Sequence, residues 1–282
     1  MIYFFLLIYI MPKSKKLGEN EMPKGKYKIL PIMPDPDTIK IDRNLPRPIE
    51  TMLMKGGGCL GIFASPGSGK SVFISNLFLR EALLKDFFDG GLYLVSPTCM
   101  SDSSSRFLVD YADFVETEYS EDLMSEIYNN IMMVPKEDRL PSAMILDDCM
   151  GSIKQNSIMN KISSVHRHMR SLLVFSIQNI KGLNPNIRSN LSHSIVFYQP
   201  SQKQLEDTVQ LHSMFGGEDT FLEKYNEATS QKYGFLLADF RDMKLYKWGA
   251  DLNEPVEIWS KYDANGNITE LNKGNIKSEK KL

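Results

Sequence analysis

Cysteine is scarce in this chain. Three cysteines, Cys59, Cys99 and Cys149, are scattered over 282 residues, and none belongs to a CxxC pair or to a Cys/His cluster with zinc-like spacing. The pattern argues against a disulfide framework and against a structural zinc site. It is typical of reduced thiols in a cytosol-like compartment.

A long hydrophobic run is missing as well. The most apolar stretch is residues 1–10, MIYFFLLIYI, whereas a membrane-spanning helix needs about 20 apolar residues. The stretch also has no basic n-region and no small-residue cleavage site, so it differs from a signal peptide. We expect no stable membrane insertion, and we favour Met11 as the natural start over a short membrane-surface anchor.

No charge of one sign dominates the composition. The chain has 33 Lys and Arg against 35 Asp and Glu, a net charge of −2 and a pI of about 6.1. A nucleic-acid surface must therefore be local, or be created by the assembly of several subunits. The Pro- and Lys-rich segment 12–48 is locally basic. It cannot hold long helices or central strands, and a solvated tail and a nucleic-acid contact explain it equally well.

What the chain does contain is a glycine-rich loop after the apolar run 59–63. Residues 64–71, ASPGSGKS, match the phosphate-loop pattern G-x-x-x-x-G-K-[ST], with Ala64 in the first glycine position. Alanine fits there if its φ is negative. Small residues let backbone N–H groups surround a phosphate, and the following helix adds its positive end. The predicted nucleotide-binding residues are Ser65, Pro66, Gly67, Ser68, Gly69, Lys70 and Ser71. Lys70 is expected to reach the β- and γ-phosphates, and Ser71 to ligate Mg²⁺.

The chain after residue 58 alternates between strand and helix patterns. Short apolar runs predict buried parallel strands at 59–65, 91–96, 142–148, 171–178 and 194–199, and helical patterns occupy 70–84, 120–133, 155–169 and 202–214. Residues 233–240 and 244–248 predict a C-terminal β-hairpin. The predicted fold class is α/β: a P-loop NTPase of the RecA/ASCE type, with a mainly parallel sheet flanked by helices.

Two adjacent carboxylates end the predicted strand 142–148. Asp147 follows four apolar residues and is expected to hold Mg²⁺ through its water shell. Asp148 is placed to accept a proton from the attacking water or to orient it. Strand carboxyl ends converge at the ligand crevice of a parallel sheet, where the phosphate loop is also expected.

Gln178 and three arginines complete the set of candidate catalytic residues. Gln178 ends the predicted strand 171–178, where it can sense a γ-phosphate or position water. Arg167 precedes that strand. Its guanidinium, supplied by a neighbouring subunit, can neutralise the transition-state charge on the γ-phosphate. Arg170 and Arg188 compete for this role. A surface ion pair is the alternative for each arginine.

These residues together resemble the genome-packaging ATPases of large double-stranded DNA viruses and virophages, in the FtsK/HerA superfamily. The resemblance covers roughly residues 55–250. It depends on the phosphate loop, on Leu146-Asp147-Asp148, on an arginine eleven positions before Gln178, and on Arg188-Ser189-Asn190 further downstream. Many superfamily members have Asp-Glu in place of Asp147-Asp148, whereas the viral packaging branch commonly has two Asp residues.

The resemblance implies a ring-forming ATPase that uses ATP and Mg²⁺ to move double-stranded DNA into a capsid. It implies a trans-acting role for Arg167 and a sensor role for Gln178. The expected partners are double-stranded DNA, further copies of the chain in a ring, with a hexamer favoured, and a capsid or portal component. The expected location is the host cytoplasm or a viral factory, with transient association with the virion.

The expected organisation is an N-terminal arm over 1–54, an ATPase domain over 55–250 and an extension over 251–282 with a disordered end. Two other functions are alternatives. A nucleotide kinase would carry a lid with clustered arginines, and we see no such cluster in the sequence. A nucleotide-binding assembly protein would tolerate the loss of an acid or a sensor, and both are present.

Overall fold

The fold is built on one sheet. The computed structural model describes residues 39–149, 151, 153–154, 156–249 and 253–269. Within these residues the strands are β1 (Cys59–Phe63), β2 (Leu92–Val95), β3 (Phe114–Glu116), β4 (Ser142–Asp147), β5 (Ser171–Ile177), β6 (His193–Phe197), β7 (Phe235–Asp239), β8 (Lys244–Trp248) and β9 (Val256–Ser260). The α-helices are α1 (Arg47–Leu53), α2 (Lys70–Leu79), α3 (Arg106–Tyr111), α4 (Glu121–Met133), α5 (Ile158–Val165), α6 (Pro185–Ser189), α7 (Gln202–Leu211) and α8 (Glu218–Ala228).

The strand order is β3-β2-β4-β5-β1-β6-β7-β8-β9. Pairing is parallel from β3 to β6 and antiparallel from β6 to β9. The prediction of a mainly parallel α/β sheet with a C-terminal hairpin, β7–β8, is therefore confirmed. Because parallel strands end at the same edge, β1, β4 and β5 bring their carboxyl ends together.

Apolar residues alternate between the two faces of the sheet, and helices cover both. Every residue of β1, β4, β5 and β6 is buried, as expected for strands covered on two sides. Phe63 and Phe175 point into one apolar layer, and Leu60 and Val174 point into the other. None of the described helices is both long enough and apolar enough to span a membrane.

Several elements differ from the predicted ones. The helix predicted over 70–84 ends at Leu79, because Arg80 has extended backbone angles (φ −93°, ψ 131°). The short strand β3 and the helices α1, α3, α6 and α8 were not predicted. β3 has only three residues, none of them fully buried, so it produces no periodic signal. Ser120 caps α4 as expected, by accepting a hydrogen bond from the Leu123 N–H.

The sheet continues past residue 250, where the ATPase domain was expected to end. β9 pairs with β8, and its Trp259 packs edge-on against Phe215 at 5.7 Å between ring centroids. On the other side, Ile49 and Met52 of α1 are fully buried in the core although they precede residue 55. The boundaries at 54 and 250 are therefore too narrow for the packed unit. The remainder of the predicted arm, 1–38, and the tail 270–282 lie outside the described residues.

A buried polar cluster fastens α1 to the antiparallel strands. The Thr51 hydroxyl donates to Asp239 Oδ2 at 2.7 Å and lies 2.9 Å from His193 Nε2. The Arg241 guanidinium donates to the main-chain carbonyls of Thr51, Met54 and Gly57. We call Thr51, His193, Asp239 and Arg241 the α1 anchor. Hydrogen bonds from His193 and Thr51 lower the pKa of Asp239 to about 2 against the opposing effect of its burial, which is the largest single contribution.

Candidate active site

The predicted phosphate loop connects β1 to α2. Gly67 and Gly69 have φ values of +74° and +99°, which a side chain would disfavour. Gly69 is the N-cap of α2, so the helix begins at Lys70 and its free N–H groups face the loop. Ala64 is not among the residues with positive φ, and its N–H donates to the Ile177 carbonyl at 3.0 Å. Alanine therefore fits the first position of the loop without strain.

Lys70 lies between the two predicted carboxylates. Its Nζ atom is 3.1 Å from Asp147 Oδ1 and also hydrogen bonds to Asp148 Oδ2. These residues are far apart in sequence, but β4 and β1 are separated only by β5, and all three strands end at the same edge. The sheet topology thus assembles the positive and negative groups that the sequence motifs predict.

Asp147 is the last residue of β4 and is only 6% exposed. Its Oδ2 atom accepts a hydrogen bond from the Ser96 hydroxyl at 3.2 Å. Its buried Oδ1 atom accepts no hydrogen bond within the described part of the chain, and its contact is the Lys70 ammonium group. A carboxylate held in this way by its neighbours is a pre-positioned oxygen ligand for a hard cation.

Asp148 leaves the sheet with an unusual backbone. Its φ is +52°, and its N–H still donates to the Ser176 carbonyl at 2.9 Å. Aspartate is among the few residues that tolerate this left-handed conformation. The turn aims the carboxylate at Lys70 and leaves it a quarter exposed (26%), where it can contact both a ligand and water.

A cavity of about 910 Å³ opens beside these residues. It is lined by residues of the phosphate loop, by Asp147, Asp148 and Gln178, and by aromatic side chains from α2 and the C-terminal strands. Gln178 follows β5 and is exposed on the cavity wall. The structure therefore brings every predicted site residue except Arg167 to one place.

The sequence profile of the family described as "Poxvirus A32 protein" matches residues 51–234. The chain belongs to the poxvirus A32 protein family. The match begins within α1 and ends at the residue before β7, so it includes the phosphate loop, both carboxylates and Gln178.

Solved structures show the same fold as this A32-family chain. The genome packaging NTPase B204 from Sulfolobus turreted icosahedral virus 2, in complex with ATP-gammaS, has 15% identity and a TM-score of 0.51, covering 71% of this chain and 100% of that chain. The DNA-packaging ATPase B204 from Sulfolobus turreted icosahedral virus has 17% identity and a TM-score of 0.53, covering 70% and 98%. No curated protein matches. At these identities the likeness establishes the P-loop NTPase fold.

Asp102 is a residue of the A32-family site that was not predicted from the sequence. Asp102, in the loop after β2, lines the cavity and accepts hydrogen bonds from Ser104. Hydrogen bonds from Ser104, and further ones from Ser71 and Ser105, hold the pKa of the Asp102 carboxyl below its usual range. The sequence does contain a pattern that could have indicated Asp102: the polar run Asp102-Ser103-Ser104-Ser105 follows soon after a predicted strand. Asp102 ties this loop to the first turn of α2.

Two of the three candidate arginines, Arg167 and Arg170, lie just before β5, at the opposite edge of the sheet from the cavity. Arg167 is exposed in the turn before β5, and this seven-residue strand is about 23 Å long. Arg170 donates to the Arg139 carbonyl at 2.9 Å, so its guanidinium has a structural partner. Arg188 is partly buried on α6. Arg167 and Arg170 therefore cannot reach the cavity of their own subunit, and Arg188 is not among the described residues that line it.

Proposed function

We propose that this A32-family protein is an ATPase that packages viral double-stranded DNA into the capsid. The observation that carries the proposal is the position of Lys70 between Asp147 and Asp148 at the mouth of the phosphate loop. A phosphate loop that faces a paired acid on a nearby strand is the arrangement with which P-loop ATPases bind a nucleotide and hydrolyse its terminal phosphate.

The donor set fits ATP and Mg²⁺. Backbone N–H groups of the loop and the Lys70 ammonium group match phosphate oxygens. The Ser71 hydroxyl and the Asp147 carboxylate offer hard oxygen atoms, which Mg²⁺ prefers, and the Oδ1 atom of Asp147 has no competing hydrogen bond among the described residues. When bound, the cation neutralises charge on the β- and γ-phosphates.

The other side chains supply the remaining chemistry. Asp148 orients a water molecule toward the γ-phosphate and accepts its proton as the bond from the water oxygen to the γ-phosphorus forms. The bond from that phosphorus to the β–γ bridging oxygen breaks in the same displacement, so the products are ADP and inorganic phosphate. Lys70 releases the two carboxylates when it turns to the phosphates, which frees Asp148 for this role. Gln178, on the wall of the same cavity, contacts the γ-phosphate when that group is present. The loss of this contact after hydrolysis is transmitted to β5, which Gln178 follows.

The arginines are consistent with a ring. Because Arg167 is exposed at the edge opposite to the cavity, it can complete a site only in a neighbouring subunit, and a closed ring gives every site such a neighbour. A hexamer is the expected ring. We assign double-stranded DNA and a capsid or portal component as partners, and the host cytoplasm or viral factory as the location, by extension from the viral packaging proteins that share this fold.

DNA dependence of turnover tests the proposed function. We expect long double-stranded DNA to increase ATP hydrolysis by the full-length protein, and the stimulation to fade as salt is raised from 50 to 200 mM, because phosphate contacts release counterions. Steady-state phosphate release with and without DNA measures this. Turnover that ignores DNA but rises with a nucleoside monophosphate would instead identify a kinase, and no turnover at all would identify an assembly protein.

A subunit-mixing experiment tests the role of Arg167. We expect Arg167→Ala to lower the turnover number about a thousandfold, while Arg188→Ala, the matched control, has a much smaller effect. Asp148→Asn subunits retain Arg167, so mixing them with Arg167→Ala subunits should restore part of the activity. If mixed assemblies form but recover no activity at any ratio, Arg167 does not act across subunits.

Lys181 lies three residues after Gln178, but its ammonium group is already paired. Its Nζ atom is 2.5 Å from Asp207 Oδ1 of α7. Because the Lys181 ammonium group is paired with Asp207, it is not available for a DNA phosphate. We therefore do not assign DNA binding to Lys181.

A further inference from the structure

The cavity has an end that the proposed hydrolysis leaves unused. Aromatic side chains line it: Phe73 from α2, Phe197 from β6, Phe235 from β7, Trp248 from β8, and Tyr233 just before β7. Phe73, Phe235 and Trp248 are in mutual contact, with ring centroids 5.0, 6.0 and 5.8 Å apart. We call these five residues the aromatic wall. Phe197 and Phe235 are buried, so Phe73, Tyr233 and Trp248 provide the accessible part of the wall.

Tyr233 connects the aromatic wall to the loop. A methyl group in place of the Gly69 hydrogen would lie 3.3 Å from Tyr233 Cδ1, so the ring lies against the glycine that precedes Lys70. Tyr233 nevertheless remains 45% exposed, and its φ is +66°, which is unfavourable for a bulky side chain. An exposed ring held by a strained backbone contributes little to the core, and this combination is typical of a ligand contact.

We propose that the aromatic wall binds the base of the nucleotide whose phosphates occupy the loop. This inference rests on the proposed function and adds the part of the ligand that the phosphate loop cannot recognise. Aromatic faces bind flat heteroaromatic rings by stacking, with little dependence on hydrogen bonding. A purine covers more of such a surface than a pyrimidine does. The site therefore takes purine nucleoside triphosphates in preference to pyrimidine ones, and Tyr233 and Trp248 are its main contacts.

Comparison of ATP with inorganic tripolyphosphate separates the base from the phosphates. We expect Tyr233→Ala to weaken Mg-ATP binding about tenfold, to leave Mg-tripolyphosphate binding unchanged, and to reduce the preference for ATP over CTP. Tyr233→Phe should restore ATP binding, because it keeps the ring. Tyr262→Ala is the matched control, since Tyr262 is 41% exposed and lies outside the cavity lining. Isothermal titration calorimetry measures all of these affinities.

Tryptophan fluorescence gives a second readout. The chain has two tryptophans; Trp248 packs against the cavity-facing core, and Trp259 packs on the other face of the sheet. ATP should quench the emission of the wild type but not that of Trp248→Phe, and tripolyphosphate should quench neither.

The outcomes distinguish this proposal from the proposed function. Unchanged ATP affinity in Tyr233→Ala, with normal tripolyphosphate binding, overturns the base site alone. Equal loss of both ligands also overturns it, because Tyr233 would then only shape the loop. A wild-type protein that binds neither ligand overturns the proposed function, and the base site with it.

Discussion

Replacement of Lys70 by alanine is expected to abolish hydrolysis and to weaken ATP binding by about 3 kcal/mol, roughly a hundredfold. The substitution removes a charged group that can face both the phosphates and the carboxylates. It also leaves Asp147 and Asp148 without the cation that lies between them, so that two negative groups repel an incoming polyphosphate. Titration of Mg-ATP and Mg-tripolyphosphate measures the effect, and both ligands should be lost together.

Lys85→Ala provides the matched control for this prediction. Lys85 follows the same helix and pairs with the exposed Glu81 at 3.4 Å, and it is not part of the cavity lining. We expect wild-type affinity and turnover from this variant. ATP affinity in Lys70→Ala within a factor of three of the wild type would contradict the assignment of the phosphate loop.

Asp148→Asn should separate binding from chemistry. We expect the turnover number to fall by a factor of about 100 to 10,000, because the amide cannot accept the proton of the attacking water. Nucleotide affinity should change by less than about threefold. Asparagine has nearly the same shape and, like aspartate, tolerates the left-handed backbone at this position, so the turn is kept. Single-turnover hydrolysis and equilibrium binding measure the two effects.

Asp147→Asn is the informative comparison. Asp147→Asn should shift the Mg²⁺ dependence of nucleotide binding, whereas Asp148→Asn should leave this dependence unchanged. The reason is that the two carboxylates have different roles. Equal turnover by Asp148→Asn and the wild type would remove Asp148 as the base. An equal shift in Mg²⁺ dependence for both variants would mean that the pair acts as one metal site.

The sequence predicts those parts of the site that come from local patterns. The phosphate loop needs glycines at fixed positions and a lysine at the helix start, and Asp147 and Asp148 end an apolar run. Each signal lies within about eight consecutive residues, and the alternation of strands and helices brings their strand ends to one edge. The parallel sheet and the hairpin were predictable for the same reason.

Contacts between distant segments could not be predicted from the sequence. Tyr233 meets Gly69 only because β7 lies two strands from β1 in the sheet, and no periodicity encodes that order. Asp102 reaches Ser71 through the loop after β2, whose path depends on packing against α2, as the Ser75 hydroxyl bond to the Ser104 carbonyl shows. β9 was missed because its first residues are exposed and, among the described strands, it pairs with β8 alone.

The α1 anchor gives a mechanical force two routes into the sheet. A force that pulls on the chain ahead of α1 is transmitted to Thr51, and from there it can follow either route. Part of the tension continues through the backbone into β1 and the phosphate loop. The rest crosses sideways through the Thr51 and Arg241 hydrogen bonds into β6 and β7, where paired strands resist it in shear. A force applied ahead of α1 is therefore shared between the two routes, and the phosphate loop bears only part of it.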